Sequence, residues 1–390
     1  MTCPSTGYAT SASRLCRRTA VDGPSSRKNR MPPAVPLPCG KSPDRPSGAH
    51  LNGLVDMARD FDIMIERATR CDGRDAPDTS DRPETGTTAQ VTAVVVTHNS
   101  ARHLQALGHA LASGSLAPTR KVVVDNASVD DTVAEARLAG FEVLESESNH
   151  GFGAACNAGL HVTSTEFVLF CNPDALPSPS ALELLVTALT SNSRAAIAGT
   201  GQAHRFSSIS RVIAAFAPRP LQHRIKRFGG TFPVEQGKEQ VVVDYAVGAF
   251  ILCRAAAVSS VGGFDERFFL YSEEEDLSRR LGQRGWLTVL VPSALVAHEA
   301  NASSDGVDKT DMARFRFHSL YWYYRKYHSR VYAEMARCAL AMCVTIDCCY
   351  RALTRQEQVY GLETASAPFR SIDSIRRDVE RRVGRRTGQE

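Results

Sequence analysis

The sequence predicts a doubly wound, mostly parallel α/β sheet with flanking helices, preceded by a disordered leader and followed by a helical, basic extension. Three observations carry this. Between Val91 and Val291, short β-branched or apolar runs, each closed by a polar turn, alternate with stretches of helical periodicity. The residues closing those runs are Asp, Asn and Thr, the types that meet ligands beyond the carboxyl ends of strands in open α/β sheets. On either side of this region the composition changes sharply, to Pro, Ser, Gly and Arg before it and to aromatic and Arg-rich segments after it.

Residues 1–90 are rich in Pro, Ser, Thr, Gly, Arg and Asp and cannot bury enough apolar surface to offset the entropy of ordering. One exception is Leu51 to Ile65, where Leu54, Met57, Phe61 and Met64 fit the stripe of a short helix. Initiation at Met31 or Met57 would omit part of this leader. Order is expected from Val91. The run Val91–Thr97 suits a buried parallel strand, and His98, Asn99 and Ser100 close it and can cap a helix carrying Leu104, Leu107 and Leu111. Lys121–Val124 is a second strand, ending at Asp125-Asn126, with Ser128 and Asp131 as a capping signal. Phe141–Leu144 and Phe167–Phe170 are the third and fourth, and Ser180 with Glu183 caps the helix after the fourth. Thr288–Val291 and Ala294–Ala297 lead to His298.

Composition excludes several classes. With 43% hydrophobic and 23% charged residues among 390, the chain is an ordinary globular protein in bulk, and a net charge of +4 implies no nucleic-acid partner. The 11 cysteines are odd in number and lack CxxC or metal-like spacing, which points to free thiols in a reducing, cytoplasmic compartment. No stretch approaches the ~20 apolar residues that span a bilayer.

Five motifs carry chemistry. Asp125, at a strand end, can accept hydrogen bonds from a ribose or base, or simply build an Asp-Asn turn. Asn149–Gly159 (NHGFGAACNAG) has the small residues for close approach of a helix start to a ligand or to the sheet, but Cys156 breaks the dinucleotide fingerprint. Asn172-Pro173-Asp174 offers a hard oxygen ligand suited to Mg²⁺ or Mn²⁺, or serves as a plain turn. Gly262–Gly285 (GGFDERFFLYSEEEDLSRRLGQRG) sets three glutamates and an aspartate behind an aromatic turn. Ser272 and Glu275 read there as a capping box that opens a helix. His298 can complete a metal site or contact a phosphate.

In this order the motifs resemble the family-2 inverting glycosyltransferases of GT-A fold, and within them the rhamnosyltransferase branch acting on lipid-linked acceptors. The resemblance covers Val91 to Arg330, most specifically the segment from Asp244 through His298. It implies that Thr97, Asn99 and Asp125 hold the nucleoside, with Asn149, Gly151 and Asn172 beside the donor. It further implies a divalent metal on Asp174 with His298, and a catalytic base among Glu273, Glu274 and Asp276, falling by alignment on Glu274. The sequence departs from the family at two points: the DxD-like motif begins with Asn172, and the second of the paired acids is Glu274 where Asp is usual. The implied partners are a nucleotide-sugar donor and a glycan or polyprenyl-linked acceptor, the sugar a deoxyhexose such as rhamnose. A nucleotidyltransferase, or an inactive relative that binds nucleotide sugar or scaffolds an assembly, stays open as an alternative. The expected domains are 1–90 leader, 91–330 catalytic and 331–390 extension, with the loop from His204 to Gln240 shaping selectivity. In Arg314–Arg330 aromatics interleave with Arg and Lys, and residues 370–386 are dense in Arg. That pattern fits helices packed on the domain or a peripheral membrane contact through residues 314–390.

Overall fold

The computed structural model describes residues 89–201, 203–204, 231–232, 239–298, 309–354 and 362–387. The leader with its predicted short helix, and most of the loop from His204 to Gln240, lie outside the described residues.

The first half alternates as expected. Strand β1 is Val91–Thr97, α1 Ala101–Ala112, β2 Arg120–Asp125, α2 Thr132–Leu138, β3 Glu142–Glu145, α3 Phe152–His161 and β4 Phe167–Cys171. There follow β5 Ala175–Pro177, α4 Ala181–Ser191, β6 Ala195–Gly199, β7 Ala203–His204, β8 Thr231–Phe232, β9 Val241–Val243 and β10 Phe250–Arg254. The chain continues through α5 Ala255–Ser260, α6 Glu273–Gly282, β11 Leu287–Leu290 and β12 Val296–His298. It ends in α7 Lys309–Tyr327, α8 Arg330–Leu353, a 3₁₀ helix Leu362–Phe369 and α9 Ile372–Thr387.

Eight strands form the main sheet in the order β3-β2-β1-β4-β10-β6-β11-β9. Strands β1 to β4 pair in parallel, β11 is parallel to β6, and β10 and β9 run antiparallel to their neighbours. The doubly wound, mostly parallel sheet read from the sequence is therefore present. Connections leave β1 towards β2 on one side and β4 lies on the other, so the order reverses between β1 and β4. Open α/β sheets take their ligands in the crevice at such a reversal, beyond the carboxyl ends of the strands.

Every residue of β1 is buried because both sheet faces are covered. Val91, Ala93 and Val95 pack with Leu104, Leu107 and Leu111 of α1 and Leu185 and Leu189 of α4. Val94 and Val96 face the other way, onto Ala155 and Cys156 of α3 and Leu277 and Leu281 of α6. The acid-bearing helix is thus anchored to the sheet by its leucine stripe.

The predicted caps are absent in detail. Ser100, Asp131 and Ser180 stand at the N-cap positions of α1, α2 and α4 without side-chain cap bonds. Ser128 instead donates to Asp125, and Glu183 accepts from Ser115. The short polar side chains found nearer partners across the turn than along it.

The C-terminal helices build a third core. Phe315, Phe317, Tyr323 and Tyr324 of α7 are buried with Phe268, with Ala333, Ala336 and Leu340 of α8, and with Ile375 of α9. Arg314, wholly buried, bonds Asp311 of its own helix at 3.0 Å and Asp378 of α9 at 2.9 Å. Tyr321, Trp322 and Tyr327 are partly buried against the same cluster, so the aromatics of Arg314–Arg330 pack on the domain, as one of the two sequence readings expects. This packing continues across Arg330, joining α7 to α8 and α9.

Candidate active site

Three groups of predicted residues come together at the carboxyl ends of β1, β2 and β4. In the first, Thr97 and Asp125 are register partners, and the Thr97 hydroxyl donates to Asp125 at 3.0 Å. Asp125 also accepts from the backbone N–H and hydroxyl of Ser128, at 2.9 and 2.5 Å. The Ser128 hydroxyl in turn accepts from the N–H of Asn99, whose φ is +53°, and the Asn99 side chain accepts from the N–H of Val129. Asp125 therefore organises the turn first, as the simpler sequence reading had it. Any ligand must meet a carboxylate that is already buried and bonded.

The second group is the glycine-rich entry to α3. Asn149 accepts from the N–H of Gly151 at 2.9 Å, and the Asn126 side chain donates to the Gly151 carbonyl. Gly151 has φ +92°, and a Cβ there would lie 2.2 Å from the Phe269 carbonyl oxygen. The neighbouring N–H of Phe152 donates to that same oxygen at 2.9 Å. Further along α3, Asn157 accepts from the N–H of Phe264 at 2.7 Å and donates back to its carbonyl at 2.9 Å. The motif acts as a clasp, holding the aromatic turn 262–271 against the sheet.

That turn is strained and over-determined. Tyr271 and Ser272 both have left-handed backbones, φ +70° and +68°, which costs non-glycine residues roughly 1–2 kcal/mol each. Ser272 makes no side-chain cap bond, so the predicted capping box is absent; a left-handed N-cap aims the hydroxyl away from the first turn. Ser319 of α7 donates to the Leu270 carbonyl at 2.7 Å, and the rings of Phe269 and Phe315 lie 4.8 Å apart. With α3 on one side and α7 on the other, the first residues of α6 have little freedom.

The four acids of α6 then separate by role. Asp276 is fully buried and points away from the crevice. It accepts from Arg280 at 2.7 Å and from Tyr327 at 2.6 Å, and is paired with Lys326. Lys326 also binds Asp265 at 2.7 Å, and Lys326 and Arg267 together hold that carboxyl far below the usual carboxylate range despite its burial. Asp276 belongs to a structural network joining α6 to α7, and its candidacy as base is corrected on that ground. Glu275 is buried beside Tyr323, with which it interacts, rather than turned back to the cap.

Glu273 and Glu274 each keep a shielded Oε2 with no hydrogen-bond partner. Burial raises both carboxyls, and Glu273 is raised further by the charge of Glu274. Glu274 has compensation: the N–H of Gly248 bonds it, and the Arg316 guanidinium favours its ionised form. Two adjacent buried carboxyls do not ionise together readily, and the Gly248 N–H and the Arg316 guanidinium favour the charge on Glu274.

The third group follows β4. Asp174 is buried, yet neither carboxylate oxygen has a hydrogen-bond partner. His298 enters because β12 pairs antiparallel with β5, setting His298 opposite Ala175. Its Nε2 lies 3.5 Å from Asp174 Oδ1 and 3.5 Å from the Asn172 amide, and the Asp174 carboxylate raises its pKa. An orphaned buried carboxylate beside an imidazole fits a hard divalent cation that takes its remaining ligands from a bound phosphate. Among the described residues no cluster of three or more His, Cys, Asp or Glu side chains exists, so those residues supply only part of a coordination shell.

Two consecutive residues link the acid pair to the turn after β4. The Gly248 N–H bonds Glu274, while the next residue, Ala249, accepts from the N–H of Asn172 at 2.9 Å. Gly248, Asn157, Lys326, Tyr327 and Arg316 escaped the sequence reading as individual residues. All five lay in stretches that were singled out, Gly248 after Asp244, Asn157 within Asn149–Gly159 and the three α7 residues within Arg314–Arg330, but none of those stretches said which acid each residue would meet.

Residues 92–259 match glycosyl transferase family 2. The N-acetylglucosaminyl-diphospho-decaprenol L-rhamnosyltransferase of Mycobacterium tuberculosis is 32% identical over 267 residues, spanning 60% of this chain and 84% of that protein. The O-antigen chain rhamnosyltransferase WbaN of Salmonella anatum is 25% identical over 203 residues, 50% of this chain and 60% of that one. Among solved structures, a Pyrobaculum calidifontis mannosyltransferase in complex with GDP-Man and Mn²⁺ is 16% identical. The match covers 84% of this chain and 91% of that one, with a TM-score of 0.46. The chain belongs to glycosyl transferase family 2.

Proposed function

We propose that this protein transfers a sugar, rhamnose or a related deoxyhexose, from a nucleoside-diphosphate donor to a hydroxyl of a glycan or polyprenyl-linked acceptor, inverting the anomeric centre. One observation carries the proposal: two sets of shielded carboxylate oxygens without hydrogen-bond partners, on Asp174 and on Glu273 with Glu274, linked through the consecutive residues Gly248 and Ala249, which bond Glu274 and Asn172. The sugar and acceptor classes rest on the names of the relatives in Mycobacterium and Salmonella.

Thr97, Asn99 and Asp125 border the nucleoside end of the crevice, with Asn149, Gly151 and Asn172 beside the donor. Asp174 and His298 would hold a divalent cation, Mg²⁺ or Mn²⁺, whose charge stabilises the departing diphosphate. Glu274, ionised and facing the crevice, takes the proton of the acceptor hydroxyl. The acceptor oxygen forms its bond to the anomeric carbon from the face opposite the diphosphate while the carbon–oxygen bond to the diphosphate breaks. Glu273, protonated, keeps a second negative charge out of the pocket. The orphaned oxygens count against an inactive relative, in which nothing would sustain the cost of leaving them unbonded. A nucleotidyltransferase would attack a phosphorus and release pyrophosphate. The distinguishing experiment incubates the protein with dTDP-, UDP- and GDP-sugars, Mn²⁺ and a polyprenyl-linked acceptor. Release of nucleoside diphosphate with sugar transfer supports the proposal. Pyrophosphate release, or binding without turnover for every donor and acceptor, refutes it.

A further inference from the structure

Helix α8 is apolar on both faces, with Ala333, Ala336, Leu340, Val344 and Cys348 buried in the third core. After the exposed Arg330 at its start, its charged side chains pair with one another: Arg351 bonds Asp347 at 2.6 Å, Arg337 is paired with Glu334, and Asp347 is buried. Its outward stripe is Val331, Met335, Met342, Ile346 and Leu353, from 49% to 85% exposed. Every exposed position from Val331 to Leu353 is uncharged. At about 1.5 Å per residue the stripe runs roughly 33 Å.

Two features say what covers it. A single stripe about 10 Å wide offers on the order of 300 Å² per copy, against the ~800 Å² per partner of a stable protein interface, so a second copy of this chain fits poorly. Charge is also unevenly placed. Residues 309–390 hold sixteen Arg and Lys against nine Asp and Glu, a net +7, in a chain whose total is only +4. An uncharged apolar stripe carried by a basic subdomain is the combination that binds an anionic bilayer surface in plane. No described helix is long and apolar enough to cross a membrane. We propose that α8 lies flat on an anionic lipid surface, with its Val331–Leu353 stripe in the acyl boundary. The aromatics of α7 take no part, since they pack in the third core.

The test uses the full chain and phosphatidylcholine vesicles with or without phosphatidylglycerol, in the absence of any sugar, so its outcome is separate from that of the transferase reading. The wild type should co-sediment with the anionic vesicles, and Met342→Asp/Ile346→Asp should bind about tenfold more weakly or worse. Ile346→Trp, which needs no charged substitution, should add emission that shifts to the blue when anionic vesicles are present. Equal binding by wild type and double variant, no binding by the wild type, or an unshifted signal from the introduced indole would overturn the proposal. So would a wild-type dimer in sedimentation velocity that Met342→Asp/Ile346→Asp splits, because the stripe would then be a subunit interface.

Discussion

Replacing Asp276 by Asn separates a structural acid from a catalytic one. The wild-type carboxylate is wholly buried, accepts from Arg280 and Tyr327 at 2.7 and 2.6 Å, and is paired with Lys326. The amide removes the negative charge while Arg280 and Lys326 stay in place. Asp265 retains Lys326, so one cation keeps a partner and the loss falls mainly on the Arg280 side. Removing one partner of a buried ion pair costs about 3–5 kcal/mol. At about 2–3 °C per kcal/mol for a domain of this size, the thermal midpoint should fall by roughly 6–15 °C. Turnover should fall only as far as α6 shifts, with an unchanged pH profile. Thermal unfolding and nucleoside-diphosphate release on the same preparation measure both. An Asp276→Asn protein with the wild-type midpoint and no turnover would refute the structural assignment and place Asp276 in the chemistry.

Three further outcomes follow from the geometry. Gly151→Ala puts a methyl group 2.2 Å from the Phe269 carbonyl at φ +92°, so it should destabilise by about 2 kcal/mol or more and weaken turnover through the displaced turn; an Ala variant as stable as wild type would contradict the clasp. His318 is buried and lowered from 6.5 to about 4, with the Trp322 indole donating to its Nε2 at 3.0 Å, so protonation would set two donors face to face. The unfolded chain takes up this proton first, so stability should decline by roughly 3 kcal/mol as pH falls from 6.5 to 4. His318→Gln should flatten that decline, and identical pH dependence in both proteins would exclude His318 as its source. Asp174→Asn should abolish turnover with little change in thermal midpoint, and EDTA should do the same to the wild type. Activity surviving both treatments would rule out a cation at Asp174.

The sheet was readable because β1, β2 and β4 are buried on both faces, which writes them as uninterrupted apolar runs closed by polar turns. The candidate site residues were readable for the related reason that strand ends in such sheets face the crevice. What the sequence hid is long-range. The capping box at Ser272 is a sound local pattern, but docking of the aromatic turn by Gly151, Asn157 and Ser319 forces Tyr271 and Ser272 into left-handed backbones and defeats it. Asp276 and Glu274 look alike along the chain. Lys326 and Tyr327, some 50 residues away, take Asp276, while Gly248 takes Glu274. The aromatics of α7 read equally well as a membrane belt or a core, and only the partners supplied by Phe268, α8 and α9 decide for the core.

The central claim is that Glu274 holds the charge and Glu273 the proton. Glutamine imitates a protonated glutamate, so the two substitutions should behave oppositely. With a turned-over donor and acceptor, Glu274→Gln should lower kcat by ~10²–10⁴ with donor affinity unchanged, while Glu273→Gln should retain most of the wild-type kcat. The wild-type acid limb should lie above the usual carboxylate range, because burial raises Glu274. Near-normal kcat for Glu274→Gln beside a collapse for Glu273→Gln would contradict the account and move the base one residue back.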